Sequence, residues 1–264
     1  MKSKIRTALP LINIVVTLGV IIVNGLATML PLNGLDTGEI SDRFDIYFVP
    51  AGYVFSIWGL IYLGLLAFTI YQALPSQRDN VHIQSIGLLY ALSGVANMVW
   101  LFLWHYEVFN FTLLAMLTIL GSLIAIFLTL WAGRAQLSLA DRWAMAIPFS
   151  VYLGWISVAT VANATQLLYY LNWGGWGISA EAWAVIMLVV AAGIAITMAL
   201  RHGNLAYAAV FVWAYAGIAA KHSAVPVVML PAAMLAGIIA VAGIAGVPLS
   251  KKRRLGTVHV PQKG

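Results

Sequence analysis

Residues 152–163 read Tyr-Leu-Gly-Trp-Ile-Ser-Val-Ala-Thr-Val-Ala-Asn and place polar and aromatic side chains inside an otherwise apolar segment. At about 100° per residue, one narrow helical stripe holds Tyr152, Trp155, Ala159 and Asn163. Hydrocarbon would leave the Asn163 amide and the Tyr152 hydroxyl without hydrogen-bond partners, which costs several kcal/mol. The stripe is therefore predicted to face other helices or a cavity rather than lipid.

The composition of the whole chain is that of an integral membrane protein. Of its 264 residues, 62% are hydrophobic and only 8% are charged, whereas about 25% of the residues in soluble domains are charged. Apolar segments near the length that crosses a bilayer, about 20 residues, recur at 9–31, 50–74, 85–106, 108–132, 143–165, 182–200, 204–220 and 224–249. We predict an all-α membrane bundle of about eight transmembrane helices, of which the seventh is the shortest.

The placement of charge predicts the topology of these segments. With eight spans and a cytoplasmic N-terminus, all basic residues except Arg43 and Lys221 fall on the cytoplasmic side, as the positive-inside rule requires. Both termini are then cytoplasmic, in what we expect to be the cytoplasmic membrane of a prokaryote. The net charge of +6 indicates anchoring to anionic lipid headgroups and no nucleic-acid partner.

The composition changes after residue 181. The later spans consist mainly of Ala, Val, Ile, Gly and Met, whereas spans two to five carry most of the Trp, Tyr and Asn residues. We therefore predict a five-helix bundle over 1–181, three additional transmembrane helices over 182–250 and a basic cytoplasmic tail over 251–264.

Two further spans show stripes like that of residues 152–163. The second span carries Phe55, Trp58 and Tyr62, and the third carries Asn97, Trp100 and Trp104. If the three stripes converge, their rings and polar groups would form a small-molecule pocket. Ordinary helix packing, with the asparagines bonding between helices, is the alternative explanation of the same pattern.

These stripes resemble the motifs of the TspO/MBR family, the tryptophan-rich sensory and translocator proteins. Residues 152–163 match its fifth-helix pattern Tyr-Leu-x-Trp-x-x-x-Ala-x-x-x-Asn at every defining position. Residues 97–104 resemble the third-helix pattern Asn-x-x-Trp, and residues 50–62 resemble the loop and second-helix pattern, with Tyr53 in place of its first Trp. The resemblance covers about residues 9–166 and does not include the last three spans.

The resemblance implies a five-helix fold, often dimeric, that binds hydrophobic or planar amphipathic molecules. It implies a binding site beneath the loop that joins the first two helices. The expected ligand-binding residues are Tyr53, Trp58, Tyr62, Asn97, Trp100, Trp104, Trp155, Ala159 and Asn163. A tetrapyrrole (porphyrin or haem) is the preferred ligand and a sterol-like lipid is less favoured, because no basic residue closely follows Tyr169 or Tyr170.

The sequence contains few signatures of catalysis. It has no cysteine, its five histidines lack metal-ligand spacing, and it contains no phosphate-binding loop or nucleophile elbow. We therefore predict no catalytic residue, no metal and no required cofactor, and we favour a receptor or translocator. The alternatives are a transporter of another small amphipathic metabolite and, from the family's link to light-dependent porphyrin breakdown, a porphyrin-degrading enzyme.

Overall fold

A computed structural model describes the backbone of residues 2–29 and 32–256 and the side chains of 8–27, 29 and 32–250. The fold is 85% helical, and the described residues contain no strand, so the predicted all-α class is confirmed. Residues 257–264 of the predicted basic tail lie outside the described residues, as do the side chains of 251–256.

The helices follow the predicted apolar segments. They are α1 (Lys2–Met29), α2 (Thr37–Asp42), α3 (Ile57–Ala73), α4 (Val81–His105), α5 (Phe109–Ala132), α6 (Leu139–Asp141), α7 (Ile147–Tyr170), α8 (Ala180–His202), α9 (Leu205–Lys221) and α10 (Pro226–Gly256). A π-helical turn, Arg142–Ala146, connects α6 to α7.

Seven of the described helical segments are long and apolar enough to cross a membrane. The eighth apolar helix, α9, is shorter, and its 17 residues extend only about 25 Å at 1.5 Å per residue. That length is below the roughly 30 Å of a bilayer core. The exception is the segment that the sequence predicted to be the shortest.

The chain divides into two compact units. The five-helix unit comprises Met1–Ile46 and Phe55–Trp173, and the three-helix unit comprises Tyr47–Val54 and Gly174–Gly264. The compact units divide at 173, whereas the sequence predicted a boundary at 181, and residues 47–54 belong to the second unit. The physical reason is that Ala51 N–H donates to the Gly217 carbonyl in α9 (3.1 Å).

The helices of the five-helix unit form a closed ring. Helix α1 packs beside α3 and α4, α5 packs beside α4 and α7, and α3 packs beside α7. Small residues allow the closest approach, because a Cβ atom at Gly87 or Gly94 of α4 would collide with Leu9 or Val16 of α1. The inner face of each helix is thus presented to the same interior.

Aromatic rings fill one end of this interior. Phe68, Tyr90 and Phe149 come from three different helices, and their ring centroids lie 4.8 to 5.8 Å apart. All three side chains are buried. The interior is therefore packed near the end at which α3 finishes and α4 and α7 begin.

The three-helix unit is held together by close contacts between backbones. Helix α10 packs on both α8 and α9, and a Cβ atom at Gly246 would lie only 2.0 Å from the Ala199 carbonyl oxygen of α8. The Tyr215 hydroxyl of α9 donates to the Leu188 carbonyl of α8 at 2.7 Å. Small side chains and bonds to backbone carbonyls thus determine the spacing of these helices.

Candidate functional site

The stripe on α7 faces the inside of the five-helix unit, as its sequence predicts. Tyr152, Trp155 and Asn163 are 1%, 2% and 4% exposed. Ala159 lies between them on the same stripe and is only partly buried. A small, partly accessible side chain therefore stands between two buried polar residues.

The stripe on α3 contacts the first half of the α7 stripe. Trp58 stacks on Tyr62, with ring centroids 5.6 Å apart, and lies edge-on to Tyr152 at 6.0 Å and Trp155 at 6.3 Å. Phe55 adds a second edge contact to Trp155 at 5.6 Å. Edge-to-face and stacked geometries are those that aromatic pairs prefer, so these rings make favourable contacts around the Trp155 indole.

The stripe on α4 contacts the second half of the α7 stripe. The indole Nε1 of Trp100 donates to Asn163 Oδ1 at 3.2 Å, and Trp100 stacks on Trp104 with centroids 5.3 Å apart. Asn97, one turn before Trp100, also interacts with the hydroxyl group of Tyr152. The three predicted stripes therefore meet, with α7 contacting both of the others.

Helix α1 contributes to the site in a way that the sequence analysis missed. Asn24 Nδ2 donates to Asn97 Oδ1 at 2.9 Å, so Asn97 bonds to α1 as well. The signal was present in the sequence, because Asn13, Thr17 and Asn24 stand at i, i+4 and i+11 and form a polar stripe of their own. All three side chains are buried.

Asn163 also bonds to two residues that the sequence analysis did not include in the site. Its Nδ2 donates to Thr112 Oγ1 of α5 at 3.0 Å and to Gln166 Oε1 at 3.3 Å. Thr112 and Gln166 are almost completely buried. Gln166 could have been predicted, since it lies one turn after Asn163 on the same helix face.

Two nitrogen donors on the α7 stripe have no hydrogen-bond partner within the described part of the chain. They are Nε1 of Trp155 and Nε2 of Gln166. Buried polar atoms are almost always paired in native proteins, and an unpaired one costs about 1–3 kcal/mol. The site therefore presents two buried donors that a ligand or water could satisfy.

Residues 32–46, which we call the lid segment, cover the end of α4. Helix α2 within it starts at a capping box, in which Asp36 accepts from the Glu39 backbone N–H at 2.8 Å and Glu39 accepts from Asp36 N–H at 2.7 Å. Phe44 then places its ring edge-on to Phe109 at 5.3 Å and lies 6.5 Å from Trp104. The lid segment thereby packs on the aromatic residues next to Trp100.

Polar contacts fix the lid segment to α4 and to the turn that follows it. The buried His105 ring places Nδ1 3.1 Å from the Leu32 carbonyl and Nε2 3.0 Å from Thr37 Oγ1. Arg43 pairs with Glu107, and the hydrogen bond from this guanidinium lowers the pKa of the Glu107 carboxyl below its usual value. His105 thus has a structural role at the predicted helix end.

Tyr53 is placed apart from the other predicted site residues. It belongs to the three-helix unit, is 53% exposed, and contacts Trp213 with ring centroids 5.4 Å apart. The remaining eight predicted residues all lie in the five-helix unit. The structure therefore does not bring Tyr53 together with them in one unit, and its role in binding stays a prediction.

Comparison with known families agrees with the motif resemblance and extends it. The family described as TSPO-like protein matches residues 10–245, whereas the motifs reach only to about residue 166. The last three helices are therefore part of the family pattern, which corrects the expectation that they lie beyond it. No curated protein and no solved structure matches the chain. The match covers most of the chain, so this multi-pass membrane protein belongs to the TSPO-like family.

Proposed function

We propose that the protein binds a planar amphipathic small molecule, with a tetrapyrrole as the preferred class, in the interior of the five-helix unit. The observation that carries the proposal is the pair of buried, unpartnered donors on the α7 stripe. Trp155 lies against the rings of Phe55 and Trp58. Gln166 bonds to Asn163, which also accepts from Trp100 of α4. Such a combination of apolar faces and a few oriented polar groups is typical of small-molecule sites.

The chemistry of the site suits a ring with polar substituents. The indole faces of Trp58 and Trp100 offer broad apolar contact, while Trp155 and Gln166 offer N–H groups to acceptor atoms. The partly buried Ala159 places only a methyl group at the middle of the stripe. A tetrapyrrole has a wide apolar face and, in its natural forms, carboxylates at its edge, so these features match it.

Quenching of tryptophan fluorescence by protoporphyrin IX would test this proposal in purified protein. We expect saturable quenching by the native chain. Trp155→Ala and Asn163→Ala should each weaken binding about tenfold, which corresponds to about 1.4 kcal/mol. Trp143→Ala is the matched control, because it removes one indole at a residue that is 65% exposed. Binding that the two site variants leave unchanged would contradict the proposal.

Transport is the second candidate function, and the polar stripe of α1 favours it. Two turns before Asn24 on α1, Thr17 Oγ1 contacts Thr69 Oγ1 at 2.7 Å and also the Tyr90 hydroxyl. One turn nearer the N-terminus of α1, Asn13 Nδ2 donates to Gln72 Oε1 at 2.9 Å. Polar groups thus continue along the bundle for about 16 Å, taking 1.5 Å per residue from Asn24 to Asn13.

Flux measurements would separate the candidates that remain. Uptake of a porphyrin or another amphipathic metabolite into proteoliposomes, abolished by Thr17→Val, would support transport over binding alone. Illumination of the bound porphyrin tests the enzymatic alternative. A product that forms in light and is lost in Trp155→Phe would support porphyrin breakdown.

A further inference from the structure

Gln166 is an unusual residue to find inside an apolar bundle. It is 1% exposed and lies on α7 one turn beyond Asn163. Its carbonyl oxygen accepts from Asn163, but its Nε2 has no partner among the described residues. A glutamine that served only to satisfy Asn163 would not need this second group to be buried.

The orientation of the Gln166 amide follows from its neighbours. The Trp100 indole N–H can only donate, so the atom of Asn163 that faces it at 3.2 Å must be the oxygen. The Asn163 nitrogen must then point to Thr112 and Gln166, and an oxygen of Gln166 must face it. Reversal of either amide would place two donors face to face. The unpartnered atom of Gln166 is therefore a donor nitrogen.

This donor lies at the lid end of the site. Gln166 is four residues from Tyr170, the last residue of α7, and the neighbouring Tyr169 packs edge-on to Phe44 of the lid segment at 6.0 Å. Trp155, the other residue with a free donor, stands eleven positions earlier, or about 16 Å along the helix axis. The two donors thus flank the partly buried Ala159.

We propose that Gln166 forms an acceptor-binding subsite, in which its Nε2 donates to a carboxylate or carbonyl oxygen at the edge of the ligand beneath the lid segment. This inference rests on the function proposed above and specifies which molecules the site selects. A site that buries a hydrogen-bond donor discriminates strongly against a ligand without the matching acceptor, because the donor then stays unpaired. The residues that fix the Gln166 amide are uncharged, so the subsite also accepts neutral acceptors.

A pair of porphyrins that differ in their acceptor groups tests the subsite. Mesoporphyrin IX carries two propionates, whereas octaethylporphyrin has a similar alkyl-substituted ring without an oxygen acceptor. In nanodiscs, with empty nanodiscs as the blank, we expect the native protein to bind mesoporphyrin IX at least tenfold more tightly. Gln166→Leu should reduce that preference to about twofold or less, mainly through weaker binding of mesoporphyrin IX.

Two further variants separate the subsite from general damage to the fold. Gln166→Glu keeps an oxygen facing Asn163 and, at a pH at which the introduced carboxyl is ionised, has no donor, so it should also lose the preference. Gln72→Leu is the control, because it removes a buried glutamine that lies at the C-terminal end of α3 and bonds to Asn13. This variant should keep the native preference.

The possible failures of the two proposals are distinguishable. Equal binding of both porphyrins by the native protein would overturn the subsite, as would a preference that survives in both Gln166→Leu and Gln166→Glu. In either case, saturable binding would leave the proposed function standing. Absence of saturable binding of both porphyrins to the native protein would overturn the proposed function and the subsite with it.

Discussion

The five-helix unit and the three-helix unit bury different chemical groups. In the five-helix unit, indole, amide and hydroxyl groups pair with one another between helices, as in the bonds of Trp100 to Asn163 and of Asn24 to Asn97. In the three-helix unit, α8 buries five alanines and one leucine. Tyr215 of α9 bonds to a backbone carbonyl of α8.

This difference separates the part of the molecule suited to binding from the part suited to packing. A network of side chains can be rearranged or completed by a ligand, and two buried donors of the five-helix unit have no partner among the residues that the structure describes. A contact such as that of Gly246 with the Ala199 backbone has no space to fill. Substitutions should therefore affect binding in the first unit and stability alone in the second.

The largest expected effect comes from filling the contact between α8 and α10. Gly246→Ala would place a Cβ atom 2.0 Å from a backbone oxygen, so we expect a loss of about 3 kcal/mol in the free energy of unfolding. Gly237→Ala in the same helix meets nothing within 4 Å and should be neutral or slightly stabilising. Denaturation of the two variants by SDS in mixed micelles measures the difference, and equal midpoints would contradict the packing described here.

Two buried indoles of the five-helix unit provide the next comparison. Trp100→Phe leaves Asn163 Oδ1 without its donor, whereas Trp155→Phe removes an N–H that has no described partner. We expect the first change to cost about 1–3 kcal/mol more than the second. The same denaturation assay tests this order, and a larger loss for Trp155→Phe would refute the assignment of the free donor.

A smaller effect is expected from the hydroxyl group that links α9 to α8. Tyr215→Phe removes its bond to the Leu188 carbonyl and should lower the free energy of unfolding by about 0.5–1.5 kcal/mol. Porphyrin affinity should stay the same, because this residue belongs to the three-helix unit. Tyr106→Phe, at a residue that is 57% exposed, is the control. Weaker porphyrin binding by Tyr215→Phe would contradict the division between the units.

The smallest effect concerns the exposed ion pair that holds the lid segment. The pKa of Glu107 is lowered by Arg43, so the pair stabilises the fold at neutral pH. This contribution disappears as the pH falls below the usual glutamate pKa of about 4.3 and through the lower pKa of the folded state. Solvent screening keeps it below about 1 kcal/mol. The difference in stability between the native protein and Glu107→Gln should therefore vanish in acid. A difference that grows as the pH falls would contradict a lowered pKa of Glu107 in the folded state.

The sequence predicted the helices and the inward direction of the α7 stripe, because length, hydropathy and periodicity are local properties. It did not predict that residues 47–54 belong to the three-helix unit. That placement depends on Gly217, where a Cβ atom would lie 2.2 Å from Val54 Cγ2, and a contact between positions so far apart leaves no local pattern. The partner of each buried amide was equally hidden, since the pairing of Asn163 with Thr112 arises only when α5 and α7 pack together.

The affinity of protoporphyrin IX for two matched variants tests the central claim most directly. Ala159→Phe adds a ring between Trp155 and Asn163 on the α7 stripe of the five-helix unit, and Ala233→Phe adds the same ring at an exposed position of α10 in the three-helix unit. We predict that Ala159→Phe raises the dissociation constant at least tenfold and that Ala233→Phe leaves it at the native value. Native affinity in Ala159→Phe would contradict the placement of the ligand in the five-helix unit.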